Sequence, residues 1–507
     1  VTDIHELAGV ERVGSPELLR LALAVVQPGF EGHTAPDWLL RRLEGGLGGV
    51  ALFARNIDTP EQVSALTAVV HATAPQAIVA VDEEGGDVTR IQHATGSSWP
   101  GNLALGVVDD VDLTRRVAAE IGAALDELGI DLDYAPDADV NVRASNPVIG
   151  VRSFGADARL VARHTAAWVT GIQSAGVLAC AKHFPGHGDT GVDSHLDVPE
   201  IQVDDPWASP WLEPFRAAVD AGSAAIMSAH VRVPVLDPRP ATLAAPVMTG
   251  LLRDHLGYTG LALSDGLEMG AITSTLGLAE GAVQALQAGI DALCIGGGLA
   301  DAETVDAVVT GLVRAVVAGR LPEERLAEAA ARVAAAADLR QSLRRRRATP
   351  SGETRTAAGL EAAQRALRIH EGSQRSGTRR ASDSCVPLVV ELVAPSNIAV
   401  GDDTPSGVAT AARRRWPDLQ LVRLSAGDDP VGALAAAADG PVWIVVRDAH
   451  RHPWMDGLVA ALGQRRPDCV VIDIGWPGWT PPAGLTHVVT HGASWASGEA
   501  VVRQLAR

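Results

Sequence analysis

Residues 113–141, LTRRVAAEIGAALDELGIDLDYAPDADVN, hold one full period of the pattern that decides the fold. Leu113, Val117, Ile121, Leu125 and Leu128 recur at spacings of three and four and the run closes at Gly129, as in an amphipathic helix stopped by glycine. A short apolar run then starts at Ile130 and gives way to polar residues around Asp137. A helix followed by a strand with a polar end is the repeating unit of a parallel α/β sheet.

The alternation extends in both directions. Short β-rich apolar runs occur at LALAVVQPGF (21–30), GGVALFARN (48–56), AIVAVDEEGG (77–86), IDLDYAPDADVN (130–141), GVLACAKHFPGHG (176–188), AAIMSAHVRV (224–233), GLALSDGLEM (260–269) and IDALCIGGG (290–298). Helical patterns such as ARLVARHTAAWVTGIQSAG (158–176) separate them. Eight such units predict an α/β fold whose N-terminal part, residues 1–342, is a (β/α)8 barrel of the TIM type. Polar residues gather where the runs stop: Glu31, Asn56, Asp82, Asp137, Lys182 with His183, His230 and Asp265. In a parallel barrel these ends share one face, so the spacing predicts one pocket.

After the helical stretch 324–347, a Ser-, Gly-, Thr- and Arg-rich linker is expected over 343–385, with one short helix within 356–370. The β/α alternation restarts at Val386 (VPLVVELVA, VWIVVRDA, CVVIDIGW, THVVTHG), predicting a smaller, largely parallel α/β domain over 386–507. It carries no phosphate-binding fingerprint. The Gly-rich turn Ile295–Gly298 lacks dinucleotide and P-loop spacing. His450 and His452 read as solvated loop histidines, and no catalytic residue is assigned to this domain.

Composition narrows the function. The 507 residues are 47% apolar and 20% charged with a net charge of −19, which describes a folded chain. With a pI near 5.2 and no basic block beyond Arg344–Arg347, neither nucleic acid nor an anionic membrane is expected as a partner. Cys180, Cys294, Cys385 and Cys469 lie far apart and read as unpaired thiols of a reducing compartment. The N-terminal segment has no signal-peptide pattern, and the expected location is the cytoplasm.

Lys182 is the only lysine, arginine supplying the other 41 basic residues. An ammonium is a compact point charge where guanidinium is a wide fork, so a tight subsite cannot exchange them. Lys182 opens the densest polar stretch, KHFPGHGDTGVDSH (182–195). As metal ligands, His183, His187, Asp189, Asp193 and His195 sit in a glycine-punctuated loop rather than on the helix of a zincin and have no cysteine beside them, so no metal is assigned. As acid/base machinery, Asp193 lies two residues before His195, close enough to orient the imidazole and raise its pKa. Asp265, at the end of the seventh run, suits a carboxylate nucleophile at a sugar anomeric carbon, and equally a helix N-cap.

Together AVDEEGGDVTRI (80–91), NPVIGVRSFG (146–155), AKHFPGHGDTGVDSH (181–195) and LALSDGLEM (261–269) resemble, in order and spacing, glycoside hydrolase family 3, and the DSH loop resembles its β-N-acetylglucosaminidase branch. The resemblance implies a retaining mechanism with Asp265 as nucleophile and His195, assisted by Asp193, as acid/base. It also implies a subsite for a terminal N-acetylglucosamine (GlcNAc) formed by Asp82, Arg90, Arg152, Lys182 and His183. Two positions depart from the pattern. Glu83 replaces a usual glutamine and Asp87 an often basic residue, which predicts a more acidic rim, unfavourable to an anhydromuramyl peptide.

The expectation is therefore a cofactor-independent exo-β-N-acetylglucosaminidase of cell-wall recycling that acts on small glycosides ending in β-GlcNAc. Within the fold, the alternatives are a phosphorylase that uses inorganic phosphate as acceptor to release GlcNAc 1-phosphate, and a β-glucosidase. From a different class, the alternatives are a sugar-binding protein without activity and a metal-dependent hydrolase.

Overall fold

The structure is a computed structural model that describes residues 14–191, 198–274, 276–298, 301–347, 356–372, 381–382, 385–394, 400, 405–429, 432 and 440–506. Each of the eight apolar runs contains a parallel strand: β1 Val26–Pro28, β2 Gly49–Leu52, β3 Ile78–Val81, β4 Leu132–Asp133, β5 Leu178–Phe184, β6 Ala225–Ser228, β7 Leu261–Leu263 and β8 Leu293–Ile295. Strands β2 to β7 pair in sequence order and β8 pairs with β1. A parallel bridge between Leu263 and Ala292 carries the curl from β7 to β8. No ladder joins β1 to β2 among the described residues, so the barrel is curled rather than fully hydrogen-bonded around its circumference.

All eight strands are buried on both faces, which is why they read as continuous apolar runs rather than alternating ones. Ala51, Ile78, Ala80, Leu132, Tyr134, Leu178, Cys180, Met227 and Leu263 belong to one core cluster. The first run is only partly strand. Pro16–Ala24 is a helix with Pro16 in its first turn and the Ser15 side chain accepting the Leu18 amide, and the strand begins only at Val26.

By packing, the chain divides into two compact units, Val1–Glu83 with Thr114–Val140 and Asp157–Gly352, and Glu84–Leu113 with Asn141–Ala156 and Glu353–Arg507. Two segments that fall within the stretch read as barrel, 84–113 and 141–156, thus belong to the second unit. There, Gly359 lets the helix Ala357–Ala366 lie against Ser98 and Trp99, where a Cβ would collide with both.

The second unit's sheet contains β9 Arg368–His370, β10 Leu388–Leu392, β11 Leu421–Leu424, β12 Val442–Val446, β13 Val470–Asp473 and β14 Thr486–Val489. Its spatial order is β9-β14-β13-β12-β10-β11, parallel except for β9. Alternate residues serve opposite faces. Trp443 and Val445 pack in one core cluster, while Val442, Ile444 and Val446 pack in another with Met455, Val459 and Leu462 of the helix Pro453–Arg465. No helix among the described residues is long and apolar enough to cross a membrane.

Candidate active site

The carboxyl ends of the barrel strands carry the polar residues of the candidate site. Asp82 follows β3, and its Oδ1 accepts from the Lys182 Nζ of β5 at 2.5 Å. Only 2% of the Lys182 side chain is exposed, so the lone lysine is a buried cation paired with a carboxylate that remains partly open. Beside it on β5, His183 donates from Nδ1 to Asp139 Oδ2 at 2.7 Å. Asp139 also accepts the His187 amide at 2.6 Å, and its own amide donates to Asp137 Oδ1 at 3.0 Å. Burial opposes ionisation of Asp139, but the charges and hydrogen bonds of His183 and His187 outweigh it and lower its pKa. His183 is therefore held in one tautomer, with Nε2 as its remaining polar atom.

Asp265 lies just past β7 and is half-buried. Its Oδ1 accepts the Gly266 amide at 2.8 Å. It caps no helix, the next one beginning at Gly270, so of the two readings of this residue the N-cap falls away. His230, buried beyond β6, donates from Nε2 to the Gly266 carbonyl at 2.9 Å while its Nδ1 lies 2.8 Å from Thr242 Oγ1. A carbonyl can only accept, so the proton is on Nε2, and His230 serves as a strut beneath the Asp265 loop. Burial pushes the Cys180 thiol far up, Lys182 opposes that, and the carboxylates of Asp133, Asp82 and Asp265 add to it.

Other run-end residues turn out to be structural. Asn56 is buried and bonds Phe30 O and Gly32 O, each at 2.9 Å, and the Phe53 amide. Glu31 is exposed and pairs with Arg55 at 3.1 Å. Asp137, fully buried, stands 3.8 Å from His183 Nδ1. With Asp139 and His183 it forms a group close enough to hold a cation, and His183 Nδ1 is already taken by Asp139.

Arg90 and Arg152 belong to the second unit. Arg152 is buried and bidentate on Glu84, with Nε at 3.0 Å and Nη2 at 2.7 Å, while Nη1 reaches Val148 O. Arg90 is half-buried, and its carbonyl accepts from the His93 amide. Asp193 and His195 lie outside the described residues.

Neither departure from the family pattern makes the rim acidic. Glu83 is buried, and its amide donates to Asp133 Oδ1 at 2.9 Å. Asp133 is pushed up by its own burial and, further, by the Glu83 charge. Asp87 is buried too, taking the Ala493 amide at 2.7 Å and Arg447 at 2.9 Å. The expected repulsion of an acidic aglycone therefore loses its basis. His450, expected to be solvated, is half-buried with Nε2 on Ala144 O at 2.8 Å. Sequence reading missed Asp139, Glu84 and Thr242, whose partners lie 44, 68 and 12 residues away.

The glycosyl hydrolase family 3 N-terminal domain matches residues 29–336. The chain belongs to glycoside hydrolase family 3. This family 3 chain is 35% identical over 315 residues to Beta-hexosaminidase A of Pseudoalteromonas piscicida, a match covering 57% of the chain and 52% of that protein's length. It is 37% identical over 280 residues to the Beta-hexosaminidase of Nitrosomonas eutropha, covering 52% of the chain and 77% of that protein. Among solved structures, a family 3 beta-N-acetylglucosaminidase from Paenibacillus sp. str. FPU-7 superimposes with a TM-score of 0.83 and 31% identity, covering 96% of each chain.

Proposed function

We propose that this family 3 protein is a retaining exo-β-N-acetylglucosaminidase that removes terminal β-linked GlcNAc from small glycosides, cell-wall fragments among them. The observation that carries the reading is the buried Lys182 ammonium on Asp82 beside the tautomer-locked His183, with Asp265 at the carboxyl end of β7 in the same barrel. Carboxylate and ammonium together accept from and donate to vicinal sugar hydroxyls. The Asp265 carboxylate attacks the anomeric carbon as the glycosidic bond breaks, and the departing oxygen takes the proton of His195. In the second step water loses a proton to His195 and displaces Asp265. Asp193 steadies the imidazole in both steps.

Two of its relatives are named β-hexosaminidases, and the solved homologue is named a beta-N-acetylglucosaminidase, which supports GlcNAc over glucose. The test is a mass spectrum of the protein trapped with a slow 2-deoxy-2-fluoro glycoside, alongside turnover of aryl β-GlcNAc and aryl β-glucoside. The adduct is expected on Asp265 and turnover is expected to favour GlcNAc. A label on another residue, or a preference for glucoside, overturns the reading.

A further inference from the structure

The parallel strands of the second sheet run β11-β10-β12-β13-β14 in space. The chain leaves β10 to one side to form β11 and then crosses back past β10 to form β12 on its other side, so the direction of winding reverses between β10 and β12. In open α/β sheets the crevice at the carboxyl ends of such a pair is where ligands bind, because the two connections diverge there. A small crevice with about 30 Å3 of enclosed space lies at this position, walled by Asp87 and the 146–152 segment on one side and by Val400 beyond β10, Arg447, Asp448 and Arg451 beyond β12, and Gly475 beyond β13 on the other.

The polar groups of the cavity are unequally committed. Arg152, also in the wall, is bidentate on Glu84, and Arg447 is held at 2.9 Å by Asp87 with 31% of its side chain exposed. Arg451 makes no side-chain hydrogen bond to any described residue. Its nearest carboxylate oxygen, Asp448 Oδ2, is 3.9 Å away, and 27% of its side chain is exposed. The backbone is shaped to put it there. Asp448 takes a left-handed φ of 49°, its Oδ1 accepts the Trp476 amide at 2.8 Å, and the short turn Ala449–Arg451 follows. Gly475 is glycine because a Cβ would collide with the Asp448 backbone. A non-glycine residue with positive φ, locked by a hydrogen bond and leading to an uncommitted guanidinium at a reversal of strand order, is a built arrangement.

We propose that this crevice is an oxyanion site that takes the carboxylate or phosphate group of a small metabolite on Arg451, with Arg447 beside it. The guanidinium fork matches either group, and both are recognised through charge-assisted hydrogen bonds. The site does not rest on the glycosidase reading.

Calorimetric titration of the 507-residue protein with inorganic phosphate, succinate and glucose 6-phosphate, each without and with saturating GlcNAc, tests it. Saturable binding of at least one probe is expected, weakened at least about tenfold in Arg451→Ala and Arg451→Gln, the loss of one charge-assisted hydrogen bond. Binding of both phosphate probes without succinate assigns a phosphate ligand, and binding of succinate alone assigns a carboxylate. Arg451→Gln keeps the start of the aliphatic stem and a polar, uncharged end, and equal unfolding temperatures without probe separate lost binding from lost fold. No saturable heat with any probe, equal affinity in wild type and both variants, or binding abolished by GlcNAc overturns the proposal.

Discussion

Lys182 pairs with Asp82 in a space that leaves almost none of its side chain open to solvent. A guanidinium is wider and cannot rotate its donors as an ammonium does. Lys182→Arg is expected to lower kcat/KM on aryl β-GlcNAc by at least about tenfold while the protein stays folded. Near-wild-type turnover would remove Lys182 from the sugar subsite. His491 gives a second prediction at this scale. Burial, and next the nearby Arg368, push its imidazole down to about 4. The unfolded value is about 6.5, so between these limits the folded state binds fewer protons than the unfolded one. The contribution is complete above about pH 6.5 and is lost as the pH falls through about 4. Asparagine tolerates the left-handed φ of 59° at this position. His491→Asn is therefore expected to flatten the pH dependence of unfolding in that window by up to one proton, about 1.4 kcal/mol per pH unit. Urea titrations from pH 4 to 7 measure it, and an unchanged slope counts against the assignment.

The helix Glu323–Arg346 shows the same economy of charge over a longer span. Its Arg325 and Arg332 converge on the fully buried Asp291 at 2.9 and 3.1 Å, and Arg340 and Arg344 converge on Asp131 at 3.0 and 3.1 Å. Arg253 is the third cation on Asp291. Removing the shared anion leaves the partly buried Arg253 without its carboxylate and Arg325 and Arg332 with only the half-exposed Glu328, so Asp291→Ala is expected to cost about 3–5 kcal/mol of stability with little change in kcat. Denaturant midpoints and steady-state rates on the same samples decide it; a parallel fall in kcat would tie the helix to the chemistry. Elements such as this were legible in the sequence because they are long and periodic. The strands buried on both faces were legible as apolar runs. The edge strands β9 and β11 were not, because their residues are mostly exposed or half-buried and leave no apolar signal. For the site, Asp82, Lys182, His183 and Asp265 stand at strand ends where a linear reading finds them. The Asp139 bond to His183 and the Glu84 clamp on Arg152 join residues remote in sequence, and nothing local announces them.

At the scale of the whole molecule, the second unit is built from three stretches of chain. A protein cut after Arg347 would keep 84–113 and 141–156 but lose the helix that covers Trp99, the Ala496 amide on Ser97 and both partners of Asp87. Such a fragment is expected to aggregate, or to be cut by trypsin first at Arg90 or Arg143, and to lose activity. A soluble, protease-resistant and fully active fragment would show that these loops are ordered without the C-terminal stretch. The same interleaving sets a rule for inheritance. A single crossover near residue 336, where the family domain ends, would join an Asp87 from one parent to a position 447 from another. A hybrid with an acid at both positions would bury two like charges, and one with arginine at both would do the same with opposite sign. Positions 87 and 447 are therefore expected to change together among descendants of this chain, and successful shuffling of its halves to carry both residues from one parent.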